Sequence, residues 1–510
     1  MAITMGLTLE RLRREGEAFM TEVSREYYRA HAGLKAGAEL QPIYDRHAAV
    51  LGEEALALVL EAFRDAAEGS EERRSARLLA EWQAESQSAR QLAAHEEREI
   101  TWEGAAAVRL PDGREIPYQR ASIEIANTAD VEERHRIERA RAALVARELA
   151  PMKRERLERE RDITEALAIA DGYVATFEAL SGVPVLALRA ECEAFLRETQ
   201  AMWDEVLPEF LRRGLGLTPR EATRADALAL FRAREFDGFF PSASMEGAVR
   251  RQVTEMGSDP TAAGRVTFDT GEREGKRSRA FCAPVRVPDE VYLVLRPHGG
   301  QTDWNTLLHE LGHALHFAYM RPGLAFEYRW LGDNSVTEGY AMLFDHLLQD
   351  RGWLLRYTEL GKKDVGAFLR VAGFEELHFL RRYCAKLVYE TELYGGRAGW
   401  GALPDLYVER LTSATTFRYD PADAFVDVDA RFYAARYLRA WQLQALITES
   451  LVERFDADWF RNPRAGPWIE RELFGEGQRE LAGEQAQRVA GKGLSFAPLV
   501  RSIEALLAAR

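Results

Sequence analysis

Apolar residues recur at helical spacing through most of the first 235 positions. The stretches are Leu9 to Ala30, Leu40 to Ala66, Glu71 to Arg98, Val131 to Leu149, Met152 to Leu180 and Val185 to Arg213, with Arg and Glu filling the faces between the apolar stripes. This spacing predicts long amphipathic helices. Gly69-Ser70, Pro111-Asp112-Gly113, Pro151, Gly182 and the segment from Gly214 to Pro219 supply the expected breaks. The mixed-sign run from Lys153 to Arg161 places opposite charges four apart, the pattern of a solvated helix face rather than a binding surface. No fixed-period repeat is present, so a helical solenoid is not expected.

The texture changes at Phe236-Asp237-Gly238-Phe239-Phe240-Pro241. Short β-like runs follow, Arg265 to Phe268, Arg279 to Cys282 and Val291 to Leu295, separated by Gly275 and by Pro284 to Pro288. Val291 to Leu295 is the candidate for an edge strand that could receive an extended peptide as one more strand, with a plain structural strand as the alternative. His298, just beyond it, invites a substrate-binding role, with a turn residue pointing to solvent as the equal alternative. Next comes a helix carrying Leu307, Leu308, Leu311 and Leu315 on one stripe, with Thr302 or Asp303 as its expected cap and Arg321-Pro322-Gly323 as its stop.

Composition narrows the class. A 510-residue chain with 46% apolar and 29% charged residues is long enough for two or three domains and is far from the composition of disorder. A formal charge of -14 argues against nucleic acid or an anionic membrane surface as partner. No apolar run approaches the ~20 residues that cross a bilayer, and the first residues lack a basic flank and apolar core, so the expected location is the cytoplasm. Three scattered cysteines, Cys192, Cys282 and Cys384, suggest neither a disulfide framework nor a thiolate metal site.

Chemistry concentrates in His309-Glu310-Leu311-Gly312-His313, an HExxH signature. On a helix, His309 and His313 lie one turn apart on the same face and can close on one Zn²⁺, one ion per chain. Glu310 then sits beside the metal, placed to take a proton from a zinc-bound water and pass it to a leaving amine. A catalytic zinc needs a third protein ligand. A metzincin would have a histidine six residues after His313, but that position is Tyr319. Asp333 lies 20 residues on (333 − 313), in a connecting segment. Glu338 lies 25 residues on (338 − 313), in a strongly helical run that holds a ligand more rigidly, and is preferred over a competing role as the last member of a capping box Ser335-Val336-Thr337-Glu338. His316 and His346 fit core or supporting positions, and Asp345 is placed to orient an imidazole.

The segment His309 to His316 with a glutamate 25 residues after His313, and Arg279-Ala280-Phe281-Cys282-Ala283-Pro284 upstream, resembles the thimet oligopeptidase and oligoendopeptidase F family of zinc metallopeptidases, within the gluzincins. The resemblance is specific from about residue 275 to 350. It implies a mainly α, two-lobed helical body with a deep substrate channel, a small β-sheet next to the HExxH helix, and short unstructured peptides as substrates. It also implies tyrosine hydroxyls that stabilise the oxyanion. Tyr437 is the first candidate and Tyr433, four residues earlier on the same helical face, the second. Arg436-Tyr437 is similar to the corresponding pair of the related angiotensin-converting-enzyme group. One departure stands out: family members place a histidine several residues before these tyrosines, where this chain has Asp427-Val428-Asp429-Ala430.

The expectations are an N-terminal helical lobe over 1–235 and a zinc-peptidase catalytic lobe over 236–510, in a monomer or homodimer. The expected activity is zinc-dependent endopeptidase cleavage of short peptides, with Glu310 as base. The rivals are a metallocarboxypeptidase, distinguished by a cation such as Arg436 or Arg439 on the terminal carboxylate, and a non-catalytic metal-containing peptide-binding protein.

Overall fold

The computed structural model describes residues 7–510, and 68% of the chain is helical. Six of its helices carry or frame the site described below: α1 (Leu9–His31), α2 (Glu71–Ala105), α3 (Gln301–Tyr319), α4 (Asn334–Asp345), α5 (Val365–Tyr394) and α6 (Tyr433–Phe455). Among the described residues, strands are few: a hairpin of β1 (Ala107–Arg109) and β2 (Glu115–Pro117), and a three-stranded sheet of β3 (Val266–Asp269), β4 (Phe281–Arg286) and β5 (Glu290–Val294). No described helix is long and apolar enough to cross a membrane.

Several helices depart from their sequence pattern, each for a local reason. The run expected from Leu40 to Ala66 is two helices, Gln41–Arg46 and Glu53–Asp65, with a tight turn at Ala48–Val50 between them. The carbonyls freed there accept from α2 instead: Gln83 donates to Val50 O at 2.8 Å and Gln87 to Leu51 O at 2.9 Å. Pro151 does not break its helix. A π-turn over Val145–Leu149 precedes it, so helical backbone continues from Val131 to Ala166 with the missing N–H absorbed at the wider turn. The stretch from Val185 to Arg213 divides at Thr199, whose hydroxyl donates to Phe195 O at 2.8 Å and accepts from Arg381 on α5 at 2.7 Å.

The three-stranded sheet has the order β3-β5-β4, with β3 parallel and β4 antiparallel to β5. The expected edge strand, Val291 to Leu295, is therefore the centre of the sheet and paired on both sides. The edge nearest α3 is β4. Its residue Cys282, paired in register with Leu293, turns its N–H away from the ladder.

Under this sheet lies the core that fixes α3. Trp304, Leu307, Leu308, Leu311 and Leu315 are all at most 1% exposed, packed with Val336, Tyr340, Leu343 and Phe344 of α4 and with Leu443 and Ile447 of α6. Each such burial contributes about 1.5–3 kcal/mol. The other large clusters draw on residues from both sides of position 235: Tyr173, Trp203 and Phe195 pack with Phe374, Leu377 and Tyr389, and Leu12, Phe19 and Trp82 pack with Phe326 and Tyr328.

Helices α3, α4 and α6 touch at glycines. A Cβ on Gly312 would stand 2.6 Å from both Ala341 Cα and Tyr340 O, and one on Gly339 would stand 3.1 Å from Leu443 Cδ2. The backbone of α4 therefore lies directly against that of α3, and the first contact leaves no room for a methyl. Gly312→Ala is expected to destabilise the fold by about 1–3 kcal/mol, read as a lower denaturant midpoint at unchanged slope.

Candidate active site

Helix α3 presents His309 and His313 one turn apart, and α4 presents Glu338 toward them. Ligand atoms of these three residues lie within 4.8 Å of one another. Glu338 Oε2 is 3.3 Å from His309 Nε2 and 3.7 Å from His313 Nε2. Two donors at ~2.0–2.1 Å from a tetrahedral ion are separated by roughly 3.3–3.4 Å, so these spacings match the edges of such a cage. Glu338 Oε2 is also a buried oxygen with no hydrogen-bond partner among the described residues, an arrangement costly unless a cation completes it. The residues present thus fit a zinc ion.

The rival positions are otherwise engaged. Asp333 caps α4, accepting from Ser335 N at 2.9 Å, and also accepts from Ala482 N at 3.1 Å. Because Asp333 is the cap, Glu338 is not a capping-box residue and its carboxylate is free to turn inward. His298 is exposed, on a turn pinned by Asp303, which accepts from His298 N and Gly299 N at 2.7 and 2.9 Å. Asp303 therefore ties down the preceding loop, and the residue at the helix cap is Gly300.

Each imidazole is steered from behind. His309 Nδ1 donates to Asp345 Oδ2 at 2.8 Å, and His313 Nδ1 meets the Thr337 hydroxyl at 2.9 Å, which leaves both Nε2 atoms facing Glu338. Burial disfavours a charged ring at both positions. At His313 it prevails and brings the pKa down to about 4, whereas at His309 the contacts with Asp345 and Glu338 override it and raise the pKa to about 10. Asp345 also meets His346 Nδ1 at 2.5 Å, and His346 Nε2 meets Glu376 at 3.1 Å, so the support extends to α5. His316 is fully buried and shares the Thr337 hydroxyl at 3.1 Å.

Glu310 points to the sheet side. Its Oε2 accepts the Cys282 N–H of β4 at 2.8 Å. Burial raises its pKa above the ordinary carboxylate value, against the opposing pull of His309 and of the Cys282 N–H. This tether to β4 has no signature in the spacing of HExxH, and neither does the hydroxyl of Thr337 behind His313.

The two tyrosines part company. Tyr433 donates to Glu338 Oε1 at 2.8 Å, so its hydroxyl is committed to the third member of the cage. Tyr437 lines the cleft beside His309, packed against Tyr383 and Trp441 with ring centroids 5.9 and 6.0 Å apart. The turn before them is anchored where the expected histidine is missing. Asp427 accepts from Arg382 at 2.6 Å, and Lys386 reaches Asp427 at 3.3 Å and Asp429 at 2.8 Å. Arg431 and Phe432, immediately before Tyr433, have φ of 54° and 49°, a left-handed pair held by Phe432 ring contacts to Tyr394, Phe177 and Tyr173 at 5.0, 5.3 and 5.9 Å.

Neither arginine singled out from the sequence reaches the cleft. Arg436 is buried and bonded to Glu81, and Arg439 is buried near Asp333. The cleft, of about 300 Å³, is bordered instead by Arg279, Asn305, Met342, Glu375, Phe379 and Tyr437 among others.

No protein-family model matches the chain, and no curated protein matches it in sequence. In three dimensions it is similar to the crystal structure of an M32 carboxypeptidase from Deinococcus radiodurans R1, with a TM-score of 0.60 over 98% of this chain and 99% of that one, at 14% identity. The chain shares the fold of that structure over this span.

Proposed function

We propose that this protein is a zinc metallopeptidase acting on short peptides. The observation that carries the proposal is the meeting of His309, His313 and Glu338 within 4.8 Å with Glu310 alongside. His309, His313 and Glu338 would hold the zinc, which would supply Lewis-acid polarisation of the scissile carbonyl and acidify the attacking water.

The chain's own groups do the rest. Glu310, with its pKa raised by burial, takes the proton from the attacking water and returns it to the leaving amine. Tyr437 donates from an uncharged hydroxyl to the developing oxyanion. Tyr433 holds Glu338 in place, while Asp345 and Thr337 fix the two rings. The outer edge of β4 offers the carbonyl of Cys282, by strand alternation, to the N–H groups of an extended substrate, and Pro284 adds a second carbonyl with no competing donor.

Two modes of cleavage compete. Endopeptidase action on short unstructured peptides follows from the family resemblance of the motif segment. Trimming of C-termini is favoured by the likeness to a carboxypeptidase along the whole chain and by the small cleft. A metal-containing binder without catalysis has no use for Glu310 beside the cage. Mapping the products of a quenched peptide library by mass spectrometry distinguishes all three.

Glu310→Gln is expected to retain one zinc per chain by elemental analysis and to lose about 10²–10⁴-fold in kcat. Near-normal hydrolysis by this variant would refute the mechanism. Asp345→Asn, which removes the acceptor behind His309, is expected to weaken zinc affinity about 10–100-fold in a competitive chelator titration.

A further inference from the structure

We propose that Arg279 receives the free C-terminal carboxylate of the peptide, so that the bond cleaved is the last one of the chain. The inference rests on the peptidase reading and specifies which peptides it serves.

Among the described residues lining the cleft beside His309, Arg279 is the one arginine or lysine. The other ionisable side chains there, apart from the histidines and Tyr437, are Asp345, Glu375 and Glu376. A carboxylate entering this space therefore finds attraction at Arg279. Arg279 is exposed and has no ion pair or side-chain hydrogen bond among the described residues. Its basic neighbours Arg273 and Lys276, by contrast, are both bound to Asp269. Asn305, one turn before His309 and also on the cleft, has a side-chain amide without a partner among the described residues and can add a second donor.

Position decides which substrate group meets this cation. Arg279 stands two residues before β4 and three before Cys282, the residue whose N–H holds Glu310. Its charge acts on both Glu310 and Tyr437. Glu310 must hand a proton to the leaving amine, so the leaving part of the peptide lies on Glu310's side of the bond. A carboxylate bound at Arg279 is then carried by the leaving part, close to the amine. A planar guanidinium with two parallel N–H groups suits that carboxylate, and a cleft of about 300 Å³ lies at the small end of ligand sites, as expected for a segment that ends there.

The test uses the full-length zinc-loaded protein and two peptides of identical sequence, one ending in a free carboxylate and one in a carboxamide. The wild type is expected to prefer the acid by about 10–100-fold in kcat/KM, the range for a hydrogen-bonded charge, and to release single residues. In Arg279→Gln the acid-to-amide ratio is expected to fall to about one through a raised KM for the acid, with Arg279→Lys restoring part of it. Equal cleavage of acid and amide by the wild type, or an unchanged ratio in Arg279→Gln, overturns the proposal for Arg279 while leaving the peptidase intact. No hydrolysis of either peptide by the zinc-loaded wild type overturns the peptidase reading itself.

Discussion

The backbone contact between α3 and α4 at Gly312 is the constraint from which the site follows. Two histidines one turn apart define a direction but not a cage, and the third member must come from an element whose distance is fixed to a few tenths of an ångström. A methyl at Gly312 would meet Tyr340 O and Ala341 Cα at 2.6 Å, so α4 can lie no closer and, given the Leu and Trp packing around it, settles no farther away. Glu338, one residue before Gly339 and three before Ala341, is thereby set opposite the imidazoles. The same helix carries Thr337 and Asp345, which fix both rings from behind, so one packing event sets Glu338 opposite the imidazoles and orients both of them.

The two groups expected to act on substrate are attached to this rigid pair in different ways. Glu310 is tied to β4 through Cys282, and Tyr437 comes from α6, which touches α4 at Gly339. The candidate metal cage spans α3 and α4, and the candidate reacting groups come from α3 and α6, both packed against α4. Burial of charged groups is tolerated because the carboxylates behind the site are shared: Asp345 serves His309 and His346, and Glu376 serves His346 from α5.

Much of this was legible in the sequence, for reasons that are physical. HExxH at helical spacing fixes two ring positions locally, and the helical run after Asn334 places Glu338 on a rigid element, so both were readable from residue order alone. Asp345 was readable as an imidazole partner because the distance from Glu338, two helical turns, is also local. The edge strand was misplaced because β propensity identifies strands but not their order, and Val291 to Leu295, richer in β-branched and aromatic residues, proved to be the buried centre. Pro151 and the 40–66 segment went astray because a π-turn and side-chain caps from α2 override local signals. Arg436 fits the resemblance in register but turns toward Glu81, a contact spanning more than 350 residues that no local pattern contains. The Tyr433 hydroxyl likewise goes to Glu338 because the start of α6 faces α4, a tertiary fact.

The left-handed pair Arg431 and Phe432 carries a consequence for how such a site can drift. Bulky side chains in that conformation cost of order 1–3 kcal/mol each, and here the aromatic cage around Phe432 absorbs it. The opening turn of α6, and with it the aim of Tyr437, is thus supported by Tyr173 and Phe177, residues more than 250 positions away in the chain that do not line the cleft. The geometry of the candidate site then depends on a distant aromatic cluster as much as on the HExxH pentapeptide, and the cluster could erode while the pentapeptide stayed intact.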